Sequence, residues 1–191
     1  MARKKTITRD QILDAAYEVV AKEGFSKFTA RNIAATMKCS TQPIYLEFKN
    51  MEDLKHSLLT EIFDNLSAKI LPKERTGAPL VDLGLNYIEF ANQQKQLYKT
   101  LFLEEDEDGR SIPQFSYDLL IDLLQEDPDY QEKKSDLKVI AAAYWTVVSG
   151  LANLVSSEVI QTNEKQLTAV LKETLANLSS KGSLSQVFAK L

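Results

Sequence analysis

The stretch that decides the fold is residues 29 to 49, Thr-Ala-Arg-Asn-Ile-Ala-Ala-Thr-Met-Lys-Cys-Ser-Thr-Gln-Pro-Ile-Tyr-Leu-Glu-Phe-Lys. Thr29 and Ser40 each precede a short helical pattern, and a hydroxyl there can accept a hydrogen bond from an otherwise unpaired backbone N–H. Pro43 falls in the first turn of the second pattern, where its missing N–H costs little. Ile44 and Phe48 lie four residues apart and are predicted to face inward together. The stretch therefore predicts a helix-turn-helix.

The second of these helices has an outward face that suits a DNA groove. Gln42 and Thr41 are candidates for base contacts, because glutamine can pair with adenine and a threonine methyl can touch thymine. Tyr45 and Lys49 are candidates for phosphate contacts, and the alternative is a half-buried core tyrosine beside a solvated lysine. Arg31, on the first helix, either reaches the DNA backbone or is only solvated.

Helices are also predicted on both sides of this motif. Thr8 and Gln11 have the spacing of a capping box at the start of a helix over residues 8 to 23, and Gly24 supplies a left-handed stop. Asn50 is placed to cap a further helix. The first helix has an apolar stripe that consists of Ile12, Ala15, Ala16, Val19 and Val20.

Residues 8 to 55 resemble the N-terminal DNA-binding domain of the tetracycline-repressor (TetR) family of bacterial regulators. Lys38 and Cys39 depart from the family pattern, in which glycine and valine are common at these positions. A lysine in a left-handed conformation costs up to about 1 kcal/mol relative to glycine. The residues that carry the resemblance are Ile12, Ala15, Ala16, Gly24, Phe25, Thr29, Arg31, Ile33, Ala34, Ser40, Ile44, Tyr45, Phe48, Lys49 and Leu54.

The resemblance implies a domain organisation and a function. It implies a three-helix DNA-binding domain at residues 1–50 and a helical regulatory and dimerisation domain at residues 51–191, connected by a helix at 51–70. It also implies a ligand-responsive transcriptional repressor, not an enzyme, that binds palindromic double-stranded operator DNA as a homodimer. The residues predicted to bind DNA are Thr29, Arg31, Ser40, Thr41, Gln42, Pro43, Tyr45 and Lys49.

The distribution of charge supports DNA binding independently of the family. Residues 1 to 50 contain nine Lys and Arg against five Asp and Glu, a net charge of +4, whereas the remaining residues carry a net charge of −8. Arg3, Lys4, Lys5 and Arg9 form a basic N-terminal arm. A chain of acidic overall charge can bind DNA when its positive charge is concentrated near the phosphates.

The composition indicates a soluble, cytoplasmic protein without a cofactor or a metal. No secretory signal or apolar run of about 18 residues is evident, so no membrane association is expected. Structural packing of Cys39 is favoured over a redox role, and His56 lacks a metal-ligand partner. The acidic run at 104–108 is better explained as a solvated loop than as a cation site. No nucleophile-base pair or phosphate-binding glycine loop indicates an enzyme.

The rest of the chain predicts only helices. After a linker at residues 72–79, the apolar periodicity predicts helices at 79–93, 95–104, 111–126, 134–161 and 164–180. The last two have the most regular stripes, and the resemblance implies that they form the homodimer interface as a four-helix bundle. Gly150 and Ala152 either allow close approach of the symmetry mate or relieve crowding inside one subunit.

Aromatic residues of the C-terminal domain are candidates for contacts with a small hydrophobic ligand. Their apolar faces and single polar groups suit such a ligand, although each is also an ordinary core residue. An alternative function is a DNA-binding protein of the same fold that is regulated by a protein partner, with the acidic 104–108 loop as its contact. The candidate ligand-binding residues are Phe90, Phe102, Tyr117, Tyr144 and Trp145.

Overall fold

The computed structural model describes residues 7–103, 112–130 and 137–179, and these residues form helices and turns without a β-strand. The prediction of an all-α fold is therefore confirmed. The acidic run at 104–108 and Arg3, Lys4 and Lys5 of the basic arm lie outside the described residues.

The helices follow one another with short connections. A 3-10 turn at Phe25–Lys27 follows the first helix, and π-helical turns at Leu66–Ile70 and Lys99–Leu103 extend the fourth and sixth. In chain order, the α-helices among the described residues are α1 (Arg9–Glu23), α2 (Ala30–Thr36), α3 (Gln42–Glu47), α4 (Met51–Asn65), α5 (Pro79–Gln93), α6 (Lys95–Tyr98), α7 (Ile112–Glu126), α8 (Leu137–Ser156) and α9 (Glu164–Ser179).

The contacts divide the chain into two units. The described part of the first unit consists of residues 7–66 and 96–103. Most of α6 and the π-helical turn after it therefore belong to the same unit as the helices from α1 to α4. The second unit contains residues 67–95, 112–130 and 137–179. The division of the sequence at residue 50 stays a prediction.

The first unit is organised around α1, which packs against α2, α3 and α4. Ile12, Ala16 and Val20 on its apolar stripe are completely buried. The predicted capping box is confirmed, because the Thr8 hydroxyl accepts from the Gln11 amide at 3.3 Å and the Thr8 amide donates to Gln11 Oε1 at 3.1 Å. A local hydrogen-bond pair thus fixes the start of the helix against which the others pack.

Gly24 ends α1 and permits a close contact with α6. Its φ is +77° and its ψ is 177°, so the stop has a positive φ but not the predicted left-handed helical conformation. The Gly24 amide donates to the Val20 carbonyl at 2.9 Å. A Cβ at this position would lie 2.9 Å from Gln96 Nε2 and 3.2 Å from Thr100 Oγ1. Glycine is therefore favoured here by the backbone conformation, and a larger residue would displace the end of the Gln96 side chain and Thr100 Oγ1.

The second unit is built around α5, which packs against α7, α8 and α9. Every residue from Leu80 to Ile88 is buried. The Tyr144 hydroxyl of α8 donates to the Leu80 carbonyl at 2.9 Å, so the buried hydroxyl is paired. At Gly84 a Cβ would lie 2.9 Å from that hydroxyl, and the glycine allows α8 to approach α5.

Helix α8 is strongly apolar, and 33% of its apolar stretch is buried in this unit. By length and composition it could cross a membrane, contrary to the expectation that the sequence has no such run. One such helix is weak evidence for a membrane span, and α8 packs against α5, α7 and α9. Ile140, Ala141, Tyr144, Val148 and Ala152 are buried on its inner face.

The prediction that this helix runs to residue 161 is wrong. It ends at Ser156, where Glu158 adopts a left-handed φ of 61°. The Val159 amide donates to the Leu154 carbonyl and the Glu158 amide donates to the Val155 carbonyl, both at 3.0 Å, which is a Schellman motif. The predicted start at residue 134 lies outside the described residues.

A comparison of Gly24→Ala with Gly77→Ala tests the close contact of Gly24. Both glycines have a φ of +77°, but nothing lies within 4 Å of a Cβ at Gly77. We expect Gly77→Ala to lower the free energy of unfolding by about 1 kcal/mol, from backbone strain alone. Gly24→Ala should lose up to about 1 kcal/mol more, because Thr100 Oγ1 and the flexible end of Gln96 must shift. Urea denaturation measures both, and equal losses would contradict the contact.

Candidate nucleic-acid interface

The turn between α2 and α3 is held by hydrogen bonds of the backbone. The Thr29 hydroxyl accepts from the Asn32 amide at 3.2 Å, which confirms the predicted cap of α2. Lys38 adopts a left-handed φ of 54°. The Cys39 amide donates to the Ala34 carbonyl at 3.0 Å and the Lys38 amide donates to the Ala35 carbonyl at 3.1 Å. This Schellman motif ends α2 without a glycine.

Helix α3 begins one residue later than the sequence indicates. Thr41 is its N-cap residue and no side chain caps it, so the predicted hydroxyl cap by Ser40 is wrong. Pro43 lies in the first turn, as predicted, and the Ile44 amide donates to the Thr41 carbonyl at 3.1 Å. The fixed φ of proline at this position favours the start of the helix, which has no side-chain cap to stabilise it.

The inner face of α3 is fixed by burial and by a cation. Ile44 is completely buried and Phe48 is 3% exposed, which confirms the predicted inward pair. The guanidinium of Arg9 lies 4.8 Å from the centroid of the Phe48 ring and donates to Ser57 Oγ at 2.7 Å. Arg9 thus connects the start of α1 to the end of α3 and to α4.

The junction with α4 adds a second constraint. Asn50 Oδ1 accepts from the Asp53 amide at 2.9 Å, which confirms the predicted cap. The Asp53 carboxylate accepts from the Lys49 amide at 3.0 Å. These reciprocal bonds hold the backbone on both sides of Asn50. The orientation of α3 relative to α4 is therefore determined locally.

The outer face of α3 and the turn before it carry most of the predicted DNA-binding residues. Gln42, Tyr45 and Lys49 are exposed, and Ser40 is exposed in the turn. Tyr45 is 54% exposed, so it is not the half-buried core residue of the alternative interpretation. Thr29 and Arg31 are exposed at the start of α2, whereas Thr41 and Pro43 are half-buried.

Two features of this surface were missed in the sequence. Leu46 is 75% exposed on α3, although an apolar side chain is expected to face inward. Its signal was its position four residues after Gln42, since positions i and i+4 share one face of a helix. Lys38, in the turn, is also exposed and adds a positive charge to the helix-turn-helix.

The amino-acid sequence of this unit matches a known family. Residues 12–58 match the family described as bacterial regulatory proteins, tetR family. Residues 12–58 are thus a TetR-family domain. TetR-family regulators are DNA-binding proteins and not enzymes. No curated protein sequence gives a significant match to the chain.

Solved structures extend the likeness to nearly the whole chain. A TetR-like transcriptional regulator from Rhodococcus sp. RHA1 has a TM-score of 0.68 at 19% identity, over 94% of this chain and 100% of that one. The fatty acid degradation regulator FadR from Bacillus halodurans has a TM-score of 0.61 at 24% identity, with 94% and 98% covered. SmeT, the repressor of the Stenotrophomonas maltophilia multidrug efflux pump SmeDEF, has a TM-score of 0.58 at 19% identity, with 89% of each chain covered. At these identities the likeness shows the TetR-like fold.

The predicted ligand-binding residues are distributed over both units. Phe102 belongs to the first unit and stacks on Tyr98 with 5.2 Å between ring centroids. Phe90 is buried in α5, and Trp145 is half-buried with its ring 4.8 Å from that of Tyr87.

The two tyrosines among these candidates already use their hydroxyls inside the protein. The Tyr117 hydroxyl donates to the Lys138 carbonyl at 3.2 Å, and the Tyr144 hydroxyl is bonded to α5 as described above. Burial raises the pKa of both phenols, helped by Asp118 at Tyr117. Both phenols therefore stay neutral at physiological pH, and Tyr144 is completely buried.

A cleft of about 200 Å³ in the second unit lies between α5, the end of α8 and the start of α9. None of the five candidate aromatic residues lines it. The Arg75 guanidinium at its edge pairs with Glu89 at 2.6 Å and with Glu164 at 2.5 Å. The described residues contain no group of His, Cys, Asp and Glu that could hold a metal ion.

The backbone before α5, at Arg75 and Thr76, is stabilised by hydrogen bonds to a buried carboxylate. Asp82 accepts from the Thr76 hydroxyl at 2.6 Å and from the backbone amides of Thr76 and Arg75 at 2.9 and 3.1 Å. Burial alone would raise the pKa of Asp82, but these hydrogen bonds outweigh it and hold the pKa below its usual value. The ionised carboxylate therefore stabilises the folded state.

Replacement of this carboxylate by an amide should be costly and should change the pH dependence of stability. We expect Asp82→Asn to lower the free energy of unfolding by about 1–3 kcal/mol near neutral pH, because an amide nitrogen cannot accept these bonds. Since the folded pKa is lowered, the native advantage is complete above the unfolded pKa of about 3.9 and is lost as the pH falls through the folded pKa.

Urea denaturation from about pH 7 to about pH 3 measures this effect. Asp122→Asn on the exposed face of α7 is the matched control and should change stability by less than about 0.5 kcal/mol. A difference between native protein and Asp82→Asn that grows toward acid pH would contradict the role of the carboxylate.

Proposed function

We propose that this TetR-family protein is a transcriptional repressor that binds a palindromic operator as a homodimer and releases it when a small hydrophobic ligand binds. The observation that carries the proposal is the outer face of α3. Its exposed Gln42, Tyr45 and Lys49 stand on a helix whose inner face is anchored by the buried Ile44. A rigid short helix with exposed polar side chains is the arrangement by which helix-turn-helix proteins enter the major groove.

The surface of α8 and α9 supports dimerisation through these helices. Leu154 on α8 and Val170 on α9 are 37% and 43% exposed. Gly150 is exposed, and nothing lies within 4 Å of the position that a Cβ would take there, whereas Ala152 is completely buried. Of the two interpretations, approach by a symmetry mate therefore suits Gly150, and relief of crowding within one subunit suits Ala152. A homodimer places two recognition helices about one helical turn of DNA apart.

Regulation by a small hydrophobic ligand rests on the second unit and on the structural neighbours. The aromatic residues Phe90, Tyr144 and Trp145 lie on the central helices α5 and α8. FadR is a regulator of fatty acid degradation and SmeT is a repressor of a multidrug efflux pump. The ligand must bind the form that does not hold DNA more tightly, since equal affinity for both forms shifts nothing. Such a regulator acts in the cytoplasm, where the DNA is.

Selection of genomic DNA fragments by the purified protein tests the proposal. At physiological salt we expect native protein to enrich fragments that share one palindrome, and Tyr45→Ala to enrich none, because the phosphate contact is lost. Tyr17→Ala is the matched control, since Tyr17 is 36% exposed on α1 and is not among the predicted contacts. Equal enrichment by Tyr45→Ala would contradict the proposed interface, and a single asymmetric half-site would contradict the homodimer.

Two further substitutions separate base contacts from phosphate contacts. Gln42→Ala should relax the base preference at one position of each half-site by about 1–3 kcal/mol. Lys49→Ala should weaken binding to all sequences and reduce the salt slope by about one per subunit. Binding titrations at several salt concentrations measure both. If Gln42→Ala leaves every base preference unchanged, its role as a base contact is wrong.

A further inference from the structure

Leu46 is the most exposed large hydrophobic side chain among the described residues, at 75%. A single exposed leucine is common on protein surfaces and by itself indicates nothing. Its position is the informative part, because it lies on the helix whose outer face carries the proposed DNA contacts.

The helical geometry places Leu46 opposite the core. It lies two positions after the fully buried Ile44, which corresponds to about 200° around the helix axis. Leu46 follows Gln42 by four residues, so the two side chains share one face, about 6 Å apart along the axis. Successive base pairs are about 3.4 Å apart, and the two side chains therefore span no more than two base steps.

The surroundings of Leu46 select nucleic acid as its partner. Arg31, Lys38 and Lys49 are exposed in the same helix-turn-helix, and Glu47 is the one acidic residue of α3. A single leucine within a basic surface provides far less apolar area than the roughly 1,000 Å² that a specific protein interface needs. In the major groove, the apolar group that a base edge offers is the C5 methyl of thymine.

We propose that Leu46 contacts the C5 methyl of a thymine within two base pairs of the base that Gln42 contacts. The assignment rests on the proposed function, since it requires α3 to lie in the major groove. It makes Leu46 a specificity-determining residue, and it adds an apolar contact to a surface whose other predicted contacts are mostly polar.

Replacement of thymine by uracil in the selected operator tests this contact, because uracil lacks only the methyl group. Binding titrations are made with native protein and with Leu46→Ala. With native protein, uracil at one position of both half-sites should weaken binding about tenfold, which corresponds to one buried methyl group in each half-site. With Leu46→Ala, the same replacement should have no further effect, as a double-mutant cycle requires for groups in contact. Since Leu46 is exposed, Leu46→Ala should keep the native Tm.

A matched control distinguishes Leu46 from the other candidate for a thymine contact. Thr41→Ser removes the threonine methyl and keeps the hydroxyl, and the effect of uracil should persist in it. An effect of uracil that persists in Leu46→Ala, or that disappears only in Thr41→Ser, would overturn the assignment. Specific binding without a uracil-sensitive position near the Gln42 contact overturns this inference alone, whereas absence of any specific site overturns the proposed function as well.

Discussion

The DNA-facing surface depends on the burial of Ile44 and Phe48, because a helix of six residues is not stable by itself in water. Helix α3 has no side-chain cap, and its own hydrogen bonds are few. Its position is therefore imposed from outside, by packing in the first unit, by Arg9 against the Phe48 ring and by the junction at Asn50. The positions of the exposed residues on α3 are therefore determined by the packing of its inner face.

Much of this arrangement was predictable because local chemistry determines it. The capping box at Thr8, the caps at Thr29 and Asn50 and the inward pair on α3 each depend on residues a few positions apart. Two helix ends were different. Lys38 and Glu158 both end a helix in a left-handed conformation, and neither has the glycine that would mark such an end in a sequence. At Glu158 the helix was consequently predicted to continue. In the structure it ends there, and backbone hydrogen bonds and an ion pair of Glu158 with Lys95 stabilise the turn.

The candidate sites were predictable to different degrees for the same reason. The DNA-binding residues lie within one continuous motif, so their spacing is enough to bring them together. The candidate ligand-binding residues come from distant segments, and periodicity gives the face of each helix but not its neighbours. Phe102 consequently falls in the first unit with Tyr98, apart from the unit of the other four candidates. Leu46 was not predicted as a contact because an apolar side chain was expected to be buried. The major groove, however, contains the apolar C5 methyl group of thymine.

The contact of Gly24 with Gln96 and Thr100 means that the first unit is discontinuous in the sequence. A fragment cut after α4 would keep the glycine and lose the residues that cover it. The same holds for a hybrid regulator that joins the N-terminal segment of one relative to the remainder of another. The two parts of such a hybrid must fit together at this glycine, which lies outside the predicted DNA contacts.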